Sequence, residues 1–402
     1  MNSHTCHQST TLLVNGRWLD PERMEFCAGE ISFADGQITA IGAPGTLPRE
    51  GATLIDVRGA LIAPGLVDIH SHGRAGGDFV SADVALLQKM SVSYLQAGVT
   101  TVMPTLASAP FEEYAPAACR IRQASATADG ARLLGLHLEG RYLNPKKRGA
   151  HASHLLAPLR ADELSALHDT LIPTDGSPFP LRLSAALELD ADGAFLSQAQ
   201  QLGIALSLGH TEANYTQARE LIAHGVGCFT HLFNAMPPLH HRDGGAVAAC
   251  LEGDAYGELI CDGFHIAPHM IRLAYRLLGR DRTVLISDSM EGTGCPDGNY
   301  SIAGMDVTVK DGKAYTSDGA IAGSTLGLLE GVNNLMQFCS LSPADALICA
   351  TRNPARAAHI DHLVGLLRVG AAADLLILDH EHHTLKLRDI YVNGISKGGM
   401  IS

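Results

Sequence analysis

The sequence predicts an α/β protein, a (β/α)8 TIM-type barrel with a small β-sandwich domain built from both chain ends. Eight continuously apolar runs predict the barrel strands, in the order GLVDIH, GVTTVMPTL, RLLGLHLEG, LRLSAALEL, IALSLGH, GCFTHLF, ELICDG and TVLISD. Such runs are typical of parallel strands that are buried on both faces. Helices are predicted over residues 83–96, 192–201, 214–223, 268–278, 326–338 and 343–350, and this alternation favours a barrel over an open doubly wound sheet. An open sheet would more often carry a glycine-rich phosphate loop, and HSHGRAGG has His where that loop needs Gly.

The two chain ends differ from the barrel because their apolar runs are short and alternating. Asn15-Gly16, Asp35-Gly36 and Asn393-Gly394 are dipeptides that favour hairpin turns. We therefore predict residues 1–62 and 359–402 to be the two parts of the small β domain. Residues 63–358 are predicted to be the metal-dependent barrel.

Composition narrows the class of protein. The chain has 402 residues, is 46% hydrophobic and carries a formal net charge of −13, which argues against nucleic acid as a partner. Nine cysteines, an odd number without a C-x-x-C pair, favour reduced thiols and a cytoplasmic location. The first residues lack the pattern of a signal peptide, and no apolar run reaches the ~18 residues of a membrane span. We expect no association with a membrane.

Polar residues at the ends of the apolar runs predict a metal site. Glu139, His210 and His231 each follow a different run. The carboxyl ends of barrel strands meet at one face, so these side chains should converge. One carboxylate and two imidazoles leave an open position on a divalent ion, as in hydrolytic zinc sites. The alternative is three hydrogen-bonded residues at the barrel rim.

The first run ends in His70-x-His72, whose two rings should point to the same side of a strand. With Glu139 as a bridge, this pair would hold a second metal ion. Alternatively, it forms hydrogen bonds beside a single ion. Zinc is the expected metal, and iron or manganese are alternatives because His and Glu suit all three.

Asp288 follows the eighth run. A carboxylate at this position can take a proton from a metal-activated water and pass it to a leaving group. The alternative is an N-cap for a following turn.

Several motifs carry a family resemblance that runs from about Leu12 to Gly394. LIAPGLVDIHSHG resembles the first-strand signature of the amidohydrolase superfamily. HLEG, NPKKRGAH, LGHTEANY, THLFNAMPPLHHR, DGFH and GSTL together resemble the N-acetylglucosamine-6-phosphate deacetylase family.

The resemblance implies a role for each matching residue. Glu139, His210 and His231 match metal ligands, whereas His70 and His72 match positions that bind metal only in some members. Asp288 matches the catalytic acid and base. The residues implied to contact the substrate are His151, Asn234, Ala235 and His265. Arg242 matches an arginine that reaches the phosphate in the neighbouring subunit's site, which implies a homodimer.

Three loops depart from the family pattern. Arg141 stands where the family usually has Pro, and it would either add a second contact to an anion or fill the acyl pocket. Asp243-Gly244-Gly245 stands where the family usually has Glu-Pro-Gly. Ser287-Asp288-Ser289 stands where the family more often has Thr-Asp-Ala. These departures leave the hydrolytic residues intact and concern the substrate side.

The resemblance thus implies hydrolysis of the N-acetyl group of N-acetylglucosamine 6-phosphate to glucosamine 6-phosphate and acetate. The alternatives are the galacto epimer, another N-acyl amino sugar, or a different amide. Cyclic-amide members usually bridge two metals with a modified lysine, and Glu139 in that place argues against them. A non-catalytic sugar-phosphate-binding protein is disfavoured because the ligands and Asp288 are all retained.

Overall fold

The structure, a computed structural model, describes residues 10–127, 129–173 and 179–400. In chain order its strands are β1 (Thr11–Asp20), β2 (Glu25–Ala34), β3 (Gln37–Gly42), β4 (Thr53–Asp56), β5 (Leu61–Pro64), β6 (Leu66–Ser71), β7 (Gly73–Arg74), β8 (Gly77–Asp78), β9 (Val99–Leu106), β10 (Arg132–Leu133), β11 (Leu136–Glu139), β12 (Leu181–Ala185), β13 (Ala205–Leu208), β14 (Cys228–Phe229), β15 (Tyr256–Ile260), β16 (Thr283–Ile286), β17 (Gly298–Ile302), β18 (Met305–Lys310), β19 (Lys313–Thr316), β20 (Leu375–Glu381), β21 (Thr384–Val392) and β22 (Ile395–Ser396).

The α-helices are α1 (Val84–Gln96), α2 (Phe111–Thr127), α3 (Ala161–Leu171), α4 (Ala194–Gln201), α5 (Tyr215–Ala223), α6 (Gly245–Glu252), α7 (Pro268–Arg282), α8 (Leu328–Cys339), α9 (Pro343–Ile348) and α10 (Arg352–Ala357). No helix among the described residues is long and apolar enough to cross a membrane.

The eight predicted barrel strands are present, which confirms the predicted fold class. They form one parallel sheet in the order β6, β9, β11, β12, β13, β14, β15 and β16, and β10 is a short extension on β9 that leads into β11. The ring closes between its first and last strands, where the His72 N–H donates to the Ser289 carbonyl (2.8 Å) and the Asp288 N–H donates to the His70 carbonyl (2.9 Å). This closure brings His70 and His72 next to Asp288.

Both chain ends contribute to a second sheet of eight strands, in the order β22-β21-β20-β5-β1-β2-β3, with β4 also on β1. Strand β20 pairs antiparallel with β5, so that Leu375 faces Pro64 and Leu378 faces Leu61. The β domain predicted from both chain ends is therefore present. The boundaries at residues 62 and 359 remain predictions.

Six of the helices were predicted from the sequence, and their starts have clear causes. Asp83 caps α1 by accepting a hydrogen bond from the Leu86 N–H, and Asn214 forms a reciprocal capping box with Gln217 at α5. Helix α2 was missed, and it contains Pro116, which is a helix-breaking signal in a sequence.

A three-stranded antiparallel sheet of β17, β18 and β19 was not predicted. It is inserted between the last barrel strand and α8, and Ile302, Val307 and Val309 pack with Met290 in a small apolar core. The Ala152 N–H donates to the Ala303 carbonyl (3.3 Å), which ties the insertion to the loop after β11. The insertion thus lies beside the carboxyl ends of the barrel strands.

Candidate active site

Four imidazoles lie within 3.4 Å of the carboxylate of Glu139, at the end of β11, and Nε2 of a fifth, His151, lies 3.6 Å from its Oε2 atom. Its Oε2 atom lies 2.9 Å from Nε2 of His72 and 3.4 Å from Nε2 of His70. Its Oε1 atom lies 3.0 Å from Nε2 of His231 and 3.3 Å from Nε2 of His210. All six side chains are buried. The two oxygens therefore face two different pairs of histidines.

Asp288 joins the first of these pairs. Its Oδ1 atom lies 3.4 Å from Nε2 of His72 and 3.5 Å from Nε2 of His70. One ligating atom from each of the three residues fits within 4.8 Å of the others. The structure therefore brings together the six residues predicted as metal ligands or as the acid and base.

The histidine rings are oriented by partners behind them. His210 Nδ1 lies 2.7 Å from the Lys147 carbonyl, to which it donates, and this leaves the Nε2 lone pair facing Glu139. His70 Nδ1 lies 3.1 Å from Oε2 of Glu258. The opposite atom, His70 Nε2, is buried and has no hydrogen-bond partner within the described residues. A histidine whose second nitrogen donates in this way is prepared to ligate a metal.

The backbone turns sharply just after the strands that carry these residues. His210, His231, Ala235 and Asp288 have φ values of 47°, 30°, 51° and 49°, in the left-handed region that non-glycine residues seldom adopt. Such strain costs free energy and clusters at functional sites. Here the residues at these turns line the cavity at the barrel mouth.

The electrostatics of the cluster favour a bound cation. Burial alone would lower the pKa of His72, but hydrogen bonds to Asp288 and Glu139 outweigh it and raise the pKa to about 9. The pKa of His70 is also raised, because the charges of Glu139 and Asp288 outweigh its burial. The pKa of Glu139 is held well below its usual value, since the charge of His70 and several imidazole hydrogen bonds outweigh burial. The carboxylates of Glu139 and Asp288 thus stabilise positive charge in this buried cluster.

The donor atoms fit a divalent metal. Nε2 of His210 and Nε2 of His231 lie only 3.1 Å apart, and both lie near Oε1 of Glu139. At this distance one Nε2 atom donates a hydrogen to the other, and once that hydrogen is lost both lone pairs can face one cation. Zinc sites bind nitrogen and oxygen donors at about 2.0–2.2 Å, which places neighbouring donors about this far apart.

A cavity of about 230 Å³ opens above the cluster. Its lining residues are His72, Glu139, Gly149, Ala150, His151, His210, His231, Asn234, Ala235, His265, Asp288, Ile302, Ile321 and Gly323. Four residues predicted to contact substrate, His151, Asn234, Ala235 and His265, therefore share one cavity with Asp288. Burial lowers the pKa of His151 to about 4 despite its hydrogen bond to Glu139, so its imidazole is neutral at pH 7.

Two predicted substrate residues lie outside this cavity. Arg141 turns toward α3, where Nε lies 3.1 Å from Glu163 and the guanidinium stacks on Phe111. The charge of Arg141 is thus paired with Glu163 and its side chain does not line this cavity, and its contact with the substrate stays a prediction. Arg242 is exposed on the loop before α6, and its Nη1 atom lies 3.2 Å from Nε2 of His241.

Sequence reasoning missed four residues near the site. Ile302 and Ile321 line the cavity from the unpredicted insertion. Arg182 and Glu258 are fully buried inside the barrel below the histidines and form an ion pair of 2.5 Å. The available signal was the presence of opposite charges within two strands that are otherwise apolar.

Comparison with known proteins defines the class. Residues 61–402 match the amidohydrolase family. The chain belongs to this family and, within it, to the N-acetylglucosamine-6-phosphate deacetylases, since relatives of that name that are more than 30% identical span most of its length. The resemblance predicted from the motifs is therefore confirmed.

Three similar proteins illustrate this relationship. An N-acetylgalactosamine-6-phosphate deacetylase of Escherichia coli O157:H7 is 33% identical over 95% of this chain and 96% of its own length. An N-acetylglucosamine-6-phosphate deacetylase of Vibrio furnissii is 35% identical over 80% of this chain and 79% of its own. The structure of a Mycobacterium smegmatis N-acetyl-D-glucosamine-6-phosphate deacetylase variant in complex with N-acetyl-D-glucosamine-6-phosphate matches with a TM-score of 0.86. It is 30% identical, and the match covers 98% of this chain and 100% of that one.

We predict that adding Zn²⁺ to metal-free protein raises its free energy of unfolding. A ligand that binds only the folded state adds about 2.7 kcal/mol to the free energy of unfolding at a hundred times its Kd. Thermal unfolding with and without Zn²⁺ measures this gain. His231→Asn should lose much of it, whereas the control His383→Asn, in an exposed turn, should keep it. Equal gains in both variants would contradict a metal site at Glu139.

Proposed function

We propose that this chain is a metal-dependent hydrolase that removes the N-acetyl group of N-acetylglucosamine 6-phosphate, giving glucosamine 6-phosphate and acetate. The observation that carries the proposal is the position of Asp288, which lies within 3.5 Å of two histidines that also face Glu139. This arrangement opens into a cavity of suitable size for part of a sugar. The relatives that span the chain support the substrate class.

Glu139, His210 and His231 would hold one divalent ion, and His70 and His72 would hold a second ion beside Glu139. The division of the two Glu139 oxygens between the histidine pairs supports two ions. Zinc suits this donor set, and iron or manganese are alternatives. When bound, the metal polarises the amide carbonyl and lowers the pKa of a water.

Asp288 handles the protons of the reaction. Its carboxylate takes a proton from the attacking water as the water oxygen bonds to the acyl carbon. The same proton then passes from Asp288 to the sugar nitrogen as the C–N bond breaks, which releases acetate and the amine. Burial alone would raise the pKa of Asp288, but the charges of His70 and His72 and a hydrogen bond from His72 outweigh it and lower the pKa, which keeps Asp288 ionised before the reaction.

His151 is positioned to donate to the acyl oxygen. Its Nδ1 atom lies 2.9 Å from the Ser108 hydroxyl, which itself accepts from the Arg141 N–H (3.1 Å) and so has its own hydrogen available for Nδ1. Nε2 of the neutral ring then carries the remaining hydrogen. A donor aimed at the oxygen where charge develops stabilises the transition state.

Acetate release tests the function directly. The metal-loaded protein is assayed with N-acetylglucosamine 6-phosphate, its galacto epimer and unphosphorylated N-acetylglucosamine. We expect turnover of the first and little of the last. Faster turnover of the galacto epimer would replace the proposed substrate by the one named for the Escherichia coli relative. No release from any of them would contradict the function while leaving family membership intact.

Replacement of the proton carrier should separate chemistry from metal binding. We expect Asp288→Asn to lower kcat by about 10²- to 10⁴-fold, since an amide cannot accept the proton. Metal content and Tm should stay near wild type, because Glu139 and the histidines remain. Initial rates and metal analysis on one preparation measure both quantities. A variant with the wild-type rate would rule out this role for Asp288.

We also propose a homodimer in which Arg242 reaches the phosphate in the neighbouring site. Its loop is exposed, Leu239 on the same loop is 40% exposed, and Arg242 does not line the cavity of its own subunit.

The eight cysteines of the described residues form no disulfide, which supports a cytoplasmic location.

Complementation between two variants tests this assignment. Arg242→Ala should lower kcat/KM by about 10- to 100-fold, the cost of a lost charged hydrogen bond. In a purified heterodimer of Arg242→Ala with Asp288→Asn, one site regains both groups, so activity should exceed that of either parent. Activity equal to the mean of the two parents would place Arg242 in its own subunit's site or in none.

A further inference from the structure

Glu258, on β15, lies directly beneath the histidine cluster. Its Oε2 atom accepts two hydrogen bonds, from the His231 backbone N–H (3.0 Å) and from Nδ1 of His70 (3.1 Å). Its Oε1 atom lies 2.5 Å from Nη2 of Arg182 on β12. Both charged side chains are fully buried. One carboxylate therefore connects the interior of the barrel to both histidine pairs.

Arg182 pairs with the Oε1 atom of Glu258, the oxygen that faces away from His70. Its Nη1 atom lies 3.2 Å from Nε2 of His137, whose Nδ1 atom lies 3.1 Å from the Thr105 hydroxyl. A guanidinium has only donors, so whatever group stands at position 258 must present an acceptor to it. A buried arginine left without that acceptor would be strongly unfavourable.

We propose that Glu258 is a positioning residue that holds His70 in its Nδ1–H tautomer and thereby directs the Nε2 lone pair to the ion of the His70 and His72 pair. The proposal rests on the metal centre of the proposed function. A neutral imidazole donates from one nitrogen and accepts at the other. Since Oε2 of Glu258 can only accept, His70 must donate from Nδ1, and Nε2 is left as a ligand.

An isosteric amide should reverse this tautomer. In Glu258→Gln the amide oxygen is drawn to Arg182, which leaves the NH₂ group facing Nδ1 of His70. His70 would then accept at Nδ1 and carry its hydrogen on Nε2, where it cannot ligate. The ion of Glu139, His210 and His231 keeps all its side-chain ligands, and Glu258 reaches it only through the His231 backbone N–H. The ion of His70 and His72 should therefore be weakened more than the other ion.

The test is a titration of the metal-free full chain with Zn²⁺ and with Co²⁺, against a competing chelator. Wild type should bind two ions, and Glu258→Gln should bind the weaker one about 10- to 100-fold less tightly, the usual cost of losing such a partner. The visible spectrum of the Co²⁺ protein should lose the contribution of that ion. Glu30→Gln is the matched control, since Glu30 is a buried carboxylate paired with Arg49 (2.8 Å) in the β domain.

The outcomes separate the inference from the proposed function. Affinities in Glu258→Gln equal to those of Glu30→Gln, or an equal loss at both ions, would overturn the inference, as would a wild type that binds one ion only. A wild type that binds no metal would instead contradict the proposed function. If Glu258→Gln does not fold, Glu258→Asp keeps the charge opposite Arg182 but withdraws the oxygen from His70. It should weaken the same ion, and unchanged affinity would again overturn the inference.

Discussion

The Glu139 carboxylate is the constraint around which the barrel mouth is arranged. A buried charge is costly unless it is paired and hydrogen-bonded, and Glu139 is paired by imidazoles from both sides of the ring. Those imidazoles are available only because parallel strands end at one face. The turns at His210 and His231 then direct their rings across the opening. The barrel therefore brings the side chains at its strand ends together, and the buried charge of Glu139 favours histidines among them.

Much of this arrangement was predictable because two sequence signals, an apolar run and the polar residue that ends it, indicate each strand end. Each apolar run identifies a buried strand, and the polar residue that ends it indicates the functional face. Glu139, His231 and Asp288 could therefore be placed at one site before their distances were known. Helices with a cap residue before an amphipathic stretch, such as Asp83 before α1, were predictable for a similarly local reason.

The remaining features depend on contacts between distant residues. Arg182 and Glu258 are each unremarkable as single charges in a strand, and only the barrel register makes them partners. Arg141 follows a predicted ligand by two positions, yet its left-handed backbone and the carboxylate of Glu163 turn it away from the cavity. The β17–β19 insertion interrupts the strand–helix rhythm, so that rhythm could not predict it.

The pairing of β20 with β5 has a consequence for how the molecule is made. Strand β5 ends at Pro64, two residues before the first barrel strand, whereas its neighbour β20 begins only at Leu375. During synthesis, the β5 edge of the N-terminal sheet stays uncovered until the whole barrel has emerged from the ribosome. Contacts so distant in sequence are slow to form, and an open strand edge can pair with other chains. The N-terminal sheet is therefore open to misassembly for as long as the barrel is being made.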